Sequence, residues 1–364
     1  MPLSKILPSG VSQPTPVNLI INGNMNIYQR GSDTIDHDGT TAAYVLDRFK
    51  LQANAMDELH LTVTQDSSVP SGYGFANSMK VDITTAESAL ASDEYVRILH
   101  PIEAQNLQLL NYGTSGAKTI ALSFWVKSNL TGAFAVSIYQ ADGDRIIGST
   151  YTISSANTWE KKTITFVGDT GGTINDDNGA GFYVNFCLAT GSDRTGTDNS
   201  SWSAFANAKM FNGQVANITS SASNDFYLTG VMLTAGSHHH DFIHESYAET
   251  LYKCERYYQQ LGGYTDAYTR LSAPTVVGNT QANWTFPFKT IMRATPSLTA
   301  TAANWILTNG SASKTLTSLG LTRSDVTQAF LVMQWSGTEF GVGQSVEGYA
   351  NNDTSYRMQF DSEL

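Results

Sequence analysis

The sequence predicts an all-β protein built from β-sandwiches, and three observations lead to this fold class. Hydrophobic residues make up 41% of the chain and charged residues only 15%, while Ser, Thr, Asn, Gly and Tyr are frequent, which is typical of sandwich surfaces. Most segments alternate apolar and polar residues with a period of two. Turn residues separate these segments at short intervals. A helical period occurs in one stretch, residues 244–263.

Length and pattern together predict the domain organisation. A chain of 364 residues is too long for one ordinary hydrophobic core, so two globular domains are expected. We predict an extended arm over residues 1–17, a jelly-roll β-sandwich over 18–243, a linking helix over 244–263 and a smaller C-terminal β-domain over 264–364. The arm contains several prolines and no periodic pattern, so we expect a partner surface to hold it.

The strands of the larger domain can be read from their alternation. The clearest segment is 119–128, where the apolar side consists of Ile120, Leu122, Phe124 and Val126. Segment 133–140 repeats the pattern and is followed by an Asp-Gly pair, which favours a hairpin turn. We expect these two strands to be neighbours. Because a single open sheet would leave one apolar face bare, the strands predict a two-sheet sandwich of the jelly-roll type.

The helix prediction rests on a stripe and on signals at both ends. The stripe has spacings of four, three, four and three and consists of Tyr247, Leu251, Cys254, Tyr258 and Leu261. Ser246 and Glu249 have the spacing of a capping box, and Gly262 and Gly263 are suited to a left-handed stop. We expect the helix to cover apolar surface at the domain boundary, with Cys254 buried and Tyr257 or Tyr258 in contact with a sandwich or a neighbouring chain.

Charge and cysteine content exclude several function classes. The formal net charge is −11 and no cluster of Lys and Arg interrupts it, so we expect no nucleic-acid partner. There is no apolar run of membrane-spanning length and no secretory signal at the start, so we expect no membrane insertion and synthesis in a cytoplasm. Cys187 and Cys254 are too few for a disulfide framework or a four-thiolate zinc site, and we expect free buried thiols.

Residues 235–260 resemble the end-of-domain signature of many bacteriophage tail fibre and related virion proteins. In that signature, a last sandwich strand of the form Thr-Gly-Val-Gln-Leu-Glu-x-Gly precedes a Phe-centred loop and a helix that ends in Cys-x-Arg-Tyr-Tyr. The matching residues are Thr229, Gly230, Val231, Leu233, Gly236, Phe242, Glu249, Leu251, Cys254, Arg256, Tyr257 and Tyr258. Segments 18–31, 44–49, 122–128 and 157–166 resemble the family's opening and central strands, and 286–298 and 361–364 resemble its closing β-domain.

The resemblance implies a function as well as a fold. It implies a non-enzymatic virion structural protein of the tail fibre type, homotrimeric, assembled in the host cytoplasm, anchored to other virion proteins by its arm and adsorbing to host-surface glycan. One alternative is a capsid decoration protein or another structural tail component that binds no receptor. The other is a polysaccharide depolymerase, although the sequence has no nucleophile elbow, phosphate loop or zinc-protease helix and selects no pair of carboxylates.

Two groups of residues are candidates for a structural metal ion, although no cofactor is required by the proposed role. His238 and His240 would point the same way in an extended segment and can bind a transition metal, alone or in a trimer; the family's usual loop lacks these histidines. Asp225 and the loop at 175–178 offer hard oxygen donors for calcium. The alternative for both groups is a solvated polar loop.

Aromatic side chains are the candidates for glycan contact because sugar rings stack on flat rings. Trp125, Tyr139 and Tyr183 point away from the apolar sides of their predicted strands, and Trp202 lies in a polar loop. These four residues could form a glycan platform. Alternatively, the second sheet, the helix or another subunit covers them, since large aromatic residues are usually packed.

Overall fold

The computed structural model describes residues 16–31, 33–36, 39–263 and 267–364. Nearly all of the regular structure in these ranges is β-strand, so the all-β prediction is confirmed. The predicted N-terminal arm lies outside the described residues, apart from its last two positions. Among the described residues, no helix is long and apolar enough to cross a membrane.

The first unit is a sandwich of two antiparallel sheets. Its strands are β1 (Asp33–Asp36), β2 (Gly39–Leu46), β3 (Phe49–Met56), β4 (His60–Asp66), β5 (Ser78–Thr85), β6 (Tyr95–Glu103), β7 (Ile120–Ser128), β8 (Gly132–Gln140), β9 (Arg145–Ile153), β10 (Glu160–Phe166), β11 (Ala180–Thr190), β12 (Ser203–Ala204) and β13 (Asp225–Ala235). In the described part of the chain, one sheet has the order β1-β4-β5-β13-β7-β10 and the other β12-β9-β8-β11-β6-β3-β2. Short 3-10 helices cover Ala104–Leu110, Ser192–Arg194, Asn207–Lys209, Ile218–Ser220 and, in the second unit, Ala302–Asn304.

The core lies between the two sheets and is formed by the alternating side chains that the sequence indicates. Phe124 of β7 and Phe186 of β11 are fully buried, with ring centroids 5.0 Å apart. The hairpin after segment 133–140 is confirmed, because β8 pairs with β9 across residues 141–144. The expected pairing of β7 with β8 is wrong, since they belong to opposite sheets. Each of these two strands has one apolar side. Because the strands lie in opposite sheets, their apolar sides face each other across the core and both are buried.

Residues 18–31, which resemble an opening strand, form no strand in the structure. The side chain of Asn22 makes hydrogen bonds that the backbone of a neighbouring strand would otherwise make. Its Oδ1 accepts from the backbone amide of Ile27 at 2.9 Å, and its Nδ2 donates to the carbonyls of Ile27 and Asp47. Gly23 passes so close to β13 that a Cβ would lie 2.0 Å from the Val231 carbonyl oxygen. This segment therefore fills the edge of the core as an irregular turn.

The predicted helix forms, but it is shorter than predicted. Helix α1 spans Tyr247–Glu255, and its capping box is present: the Ser246 hydroxyl accepts from the Glu249 amide, and the Glu249 carboxylate accepts from the Ser246 amide. The prediction of helix over 244–263 is wrong beyond Glu255, because Tyr258–Gly262 forms strand β14. The two glycines end this strand rather than the helix, with φ values of +82° at Gly262 and +74° at Gly263.

Pairing with a distant strand explains the early end of the helix. Strand β14 pairs along its whole length with the last strand of the chain, and this gain of sheet hydrogen bonds and burial outweighs the local helical pattern. Tyr247, which heads the predicted stripe, is 60% exposed. Cys254 and Tyr257 are each 1% exposed, as predicted.

The second unit consists of short antiparallel strands around a separate core. Its strands are β14 (Tyr258–Gly262), β15 (Arg270–Leu271), β16 (Thr275–Gly278), β17 (Gln281–Pro287), β18 (Ser297–Thr299), β19 (Trp305–Thr308), β20 (Ser313–Thr315), β21 (Ser318–Leu321), β22 (Gln328–Gln334), β23 (Glu347–Ala350) and β24 (Arg357–Asp361). In the described residues they form sheets of order β14-β24-β18, β15-β23-β19-β20 and β16-β17-β22-β21. The fully buried Trp305 lies in this core.

An ion pair at the end of β6 connects the first unit to the residues after helix α1. Glu103 is fully buried and accepts from Nε of Arg256 at 2.7 Å, from Nη2 at 2.8 Å and from the Tyr257 hydroxyl. Although burial acts to raise the pKa of Glu103, the hydrogen bonds from Arg256 and Tyr257 hold it below its ordinary value. The carboxylate is therefore charged and compensated.

Two arginines of the first unit stack on the tyrosine pair that follows the helix. The guanidinium of Arg48 lies 3.4 Å from the ring centroid of Tyr257, and that of Arg30 lies 3.7 Å from that of Tyr258. Both arginines also form ion pairs with Glu363, which is almost fully buried. The contact predicted for Tyr257 or Tyr258 with a sandwich is therefore confirmed for both.

Candidate functional site

Tyr139 and Tyr183 lie side by side on the outer face of the seven-stranded sheet. They are directly opposite each other in the register of β8 and β11, at positions that point outward because their neighbours Ile138 and Phe182 fill the core. Their ring centroids are 6.1 Å apart and the planes differ by 23°. The ring of Phe205 meets Tyr139 edge to face at 5.1 Å.

The hydroxyl of Tyr139 is held in place by a carboxylate. It donates to Oδ1 of Asp144 at 2.9 Å. Burial and this hydrogen bond raise the pKa of Tyr139 to about 12, so the phenol stays protonated at neutral pH. The ring is partly exposed and has a fixed orientation, which suits it to stack on a flat ligand.

A row of polar side chains lies on the same outer face as the tyrosine pair. Nη1 of Arg97 donates to Oδ1 of Asn185 at 2.9 Å, while its Nε and Nη2 donate to Oε1 of Gln52 at 3.1 and 2.6 Å. Asn185 is two residues beyond Tyr183 on β11 and so points to the same side. We refer to the partly exposed Tyr139, Tyr183, Arg97 and Gln52, together with the fully buried Asn185 that holds Arg97, as the tyrosine face. It combines aromatic rings with fixed hydrogen-bonding groups.

Other parts of the chain cover the outer face around the tyrosine face. Beyond Arg97, the side chains of Met210 and Phe211 bury Tyr95 and Cys187 in a small apolar cluster. At the β2 edge, the Tyr44 hydroxyl donates to the carbonyl of Leu364 at 2.5 Å. The partly exposed tyrosines therefore lie on a sheet surface that is covered elsewhere.

The other two predicted aromatic residues lie in different places. Trp125 is on the outer face of the opposite sheet, 9% exposed, with its ring 4.4 Å from that of Tyr73. Trp202 donates from Nε1 to the Val167 carbonyl at 2.7 Å and packs against Tyr112 and Phe182. The structure therefore brings together only Tyr139 and Tyr183 of the four. Glycan contact by Trp125 or Trp202 stays a prediction.

The histidines lie in the segment between β13 and helix α1. The rings of His238 and His240 are 4.4 Å apart, in line with the expectation that they point the same way, and His239 Nε2 lies 3.0 Å from Oγ1 of Thr165. Within the described ranges, no group of three or more His, Cys, Asp or Glu side chains is placed to hold a metal ion. Metal binding by His238 and His240 stays a prediction.

The calcium candidates make protein contacts of their own. Oδ1 of Asp225 accepts from the Asn129 amide at 3.2 Å. In the loop at 175–178, the backbone amide and Nδ2 of Asn175 both donate to the carboxylate of Asp142. The carboxylate of Asp177 accepts from the Gly179 amide at 2.8 Å. These bonds are those of ordered polar loops.

Some features of the site were not predictable from a single strand. Arg97, Asn185 and Gln52 belong to three strands, and only their register shows that they adjoin the tyrosine pair. The period of two at 181–190 already places Asn185 on the side of Tyr183, and this signal could have been used.

The thiols of Cys187 and Cys254 are free and buried, as expected. Burial raises the pKa of both thiols, so neither is a candidate nucleophile.

Comparisons with known proteins give partial structural matches. No protein-family model matches the sequence, and no curated protein matches it. Among solved structures, the enzymatically active domain of tailspike protein 4 of bacteriophage CBA120 is 13% identical, with a TM-score of 0.31 over 60% of this chain and 21% of that one. The chain thus spans about a fifth of that tailspike structure.

Two further matches are to proteins with carbohydrate-related names. A family 11 carbohydrate-binding module from Clostridium thermocellum is 15% identical, with a TM-score of 0.29 over 57% of this chain and 98% of that one. A putative sugar binding protein from Bacteroides thetaiotaomicron is 13% identical, with a TM-score of 0.32 over 60% of this chain and 100% of that one. At these TM-scores the superpositions carry no argument about function, which has to come from the site itself.

Proposed function

We propose that the chain is a non-enzymatic virion structural protein of the bacteriophage tail fibre type, whose tyrosine face binds glycan on the host surface. The observation that carries the glycan part is the parallel pair of Tyr139 and Tyr183 on an outer sheet face. Two adjacent rings with similar planes can stack on successive sugar rings, and the partly exposed Arg97 and Gln52 beside them can bond hydroxyl groups.

The virion part of the proposal rests on the sequence resemblance. The residues that carry it are Cys254, Arg256, Tyr257 and Tyr258, and the protein would act as a homotrimer docked on other virion proteins through its N-terminal arm. Glycan binding at the tyrosine face requires neither a metal ion nor another cofactor, because all of its hydrogen-bonding groups are side chains of this chain.

Glycan binding at this face can be tested with two tyrosine variants. The full chain is immobilised and host-surface polysaccharide is passed over it, with Tyr139→Ala and Tyr183→Ala beside the unchanged protein. Each variant should weaken binding by about two- to tenfold, since an aromatic contact contributes about 0.5 to 1.5 kcal/mol. Tyr247→Ala, which truncates a tyrosine that is 60% exposed on helix α1, is the matched control and should bind normally.

This binding assay, an incubation with polysaccharide and labelling of phage particles together separate the alternatives. Unchanged binding by both tyrosine variants would contradict the assignment of this face, and absence of binding by the unchanged protein would favour a decoration or structural role. Shortening of the polysaccharide during incubation would favour a depolymerase. The virion role is tested by antibody labelling of intact phage particles. Absence of the protein from those particles would contradict the virion role.

A further inference from the structure

The outer face of the six-stranded sheet, opposite the tyrosine face, contains a pocket with aromatic walls. Its volume is about 390 Å³, within the range of small-ligand sites. The floor comes from strands β7, β10 and β13, and the walls come from residues 72–75 and 241–244. The residues that bear on its chemistry are Tyr73, Phe75, Trp125, Lys161, Asp241 and His244.

A glycine in a β-bulge makes room for this pocket. The register between β13 and β7 shifts between Thr229 and Met232, and Gly230 within the bulge has φ +61°. A Cβ on Gly230 would lie 2.7 Å from Cζ of Phe75 and 3.0 Å from Cδ1 of Trp125. The aromatic rings therefore approach the backbone at a position that only glycine allows.

The pocket has one open aromatic wall and a supported one. The ring of Tyr73 is 52% exposed and lies 4.4 Å from that of Trp125, at 50° to it. On the other side, the rings of Phe75, Phe242 and His244 are 5.0 to 5.2 Å from one another, and Nε2 of His244 lies 3.0 Å from the Tyr73 carbonyl oxygen. This cluster fixes the loop that carries Tyr73.

The rim of the pocket carries a donor and an acceptor next to each other. Nζ of Lys161 lies 3.5 Å from Oδ1 of Asp241, whose side chain is fully exposed. An ion pair this exposed contributes little to stability, so both groups are available to a ligand. Adjacent hydroxyl groups of a sugar each donate and accept hydrogen bonds, which matches an ammonium beside a carboxylate.

We propose that this pocket binds one neutral hexopyranose residue, with its flat face on the exposed ring of Tyr73, one edge against Trp125, and two neighbouring hydroxyls on Lys161 and Asp241. Because Lys161 and Asp241 together carry no net charge, they leave no unpaired cation to attract an acidic sugar, so the ligand is neutral. This site goes beyond the proposed function, because it shares no residue with the tyrosine face and would bind sugar whether or not that face does.

The test follows the indole N–H of Trp125 by NMR in the ¹⁵N-labelled full chain, with the signal assigned from Trp125→Phe. The methyl glycosides of glucose, galactose and mannose are titrated in turn. At least one of them should shift the Trp125 signal in a saturable way. Tyr73→Ala should weaken that binding by about two- to tenfold, and Asp241→Ala should weaken it as well.

Controls separate this site from general effects and from the tyrosine face. Tyr252→Ala, which truncates a tyrosine that is 58% exposed on helix α1, and the double variant Tyr139→Ala/Tyr183→Ala should leave the Trp125 titration unchanged. The proposal is overturned if no neutral glycoside shifts the signal, if the shift survives Tyr73→Ala at full affinity, or if methyl glucuronide binds and the neutral glycosides do not. Because Tyr73 is exposed, its variant keeps the fold, which the rest of the spectrum verifies.

Discussion

At the scale of single residues, the signature that resembles virion proteins has a structural role. Arg256 neutralises the buried carboxylate of Glu103 on the first unit, and Tyr257 donates a hydrogen bond to it. Tyr257 and Tyr258 are also the platforms for the arginines of that unit. Cys254 is buried beside them. A resemblance carried by these residues therefore concerns the way two β-units are joined, while the two glycan sites that we propose lie elsewhere.

Arg256→Ala should destabilise the protein because it leaves the carboxylate of Glu103 buried with only neutral partners. Loss of one partner of a buried pair costs about 3 to 5 kcal/mol, and the partial exposure of Arg256 reduces this to about 2 kcal/mol. The free energy of unfolding is measured by urea denaturation. Arg270→Ala, which breaks the exposed pair with Glu347, is the matched control with an expected change near zero; equal effects of the two variants would contradict the assignment.

At the scale of elements, the start of helix α1 was predictable and its end was not. The start depends on a side chain and a backbone amide three residues apart, Ser246 and Glu249, which a local pattern can show. The end depends on the pairing of Tyr258–Gly262 with Arg357–Asp361, about 100 residues away, which no local pattern shows. The proposed glycan site divides in the same way. The period of two shows that Tyr139 and Tyr183 point outward, and only the register of β8 and β11 shows that they are adjacent.

The local signal at the helix start has a measurable consequence. Ser246→Ala removes the hydroxyl that accepts from the Glu249 amide, and loss of an N-cap costs about 1 kcal/mol. The measurement is again the free energy of unfolding, and Ser237→Ala, which changes an exposed serine before the helix, serves as the control. If Ser246→Ala and Ser237→Ala unfold alike, tertiary packing and not the cap specifies where the helix begins.

At the scale of the whole molecule, the first unit presents two different surfaces on its two sheets. The tyrosine face lies on the seven-stranded sheet and the aromatic pocket on the six-stranded sheet, so the two glycan sites that we propose would let one sandwich contact two sugar-bearing surfaces at once. The second unit is attached to the end of β6, to the buried arginines Arg30 and Arg48 and, through Leu364 and Arg293, to Tyr44 and Asn178 of the first unit. Multivalent contact of this kind raises avidity without requiring tight binding at each site.

The stability of the whole molecule should depend on pH through one buried pair of carboxyl groups. Glu87 and Glu94 are 6% and 7% exposed, and burial together with the neighbouring charge of Glu94 raises the pKa of Glu87 from 4.5 to about 7. The folded protein therefore keeps a proton that the unfolded chain releases. The contribution of this group is fully present below pH 4.5 and is lost as the pH rises through about 7.

We therefore expect the contribution of Glu87 to the free energy of unfolding to fall between pH 4.5 and about 7. Glu87→Gln should remove this contribution to the slope of stability against pH. Urea denaturation of both proteins across this window gives the difference, in which groups common to both cancel. Groups such as Glu103, whose pKa is lowered, act in the opposite sense and at lower pH, where acid protonates them. A variant that gains stability relative to the unchanged protein as the pH rises through about 7 would confirm the prediction, and parallel curves for the two proteins would contradict it.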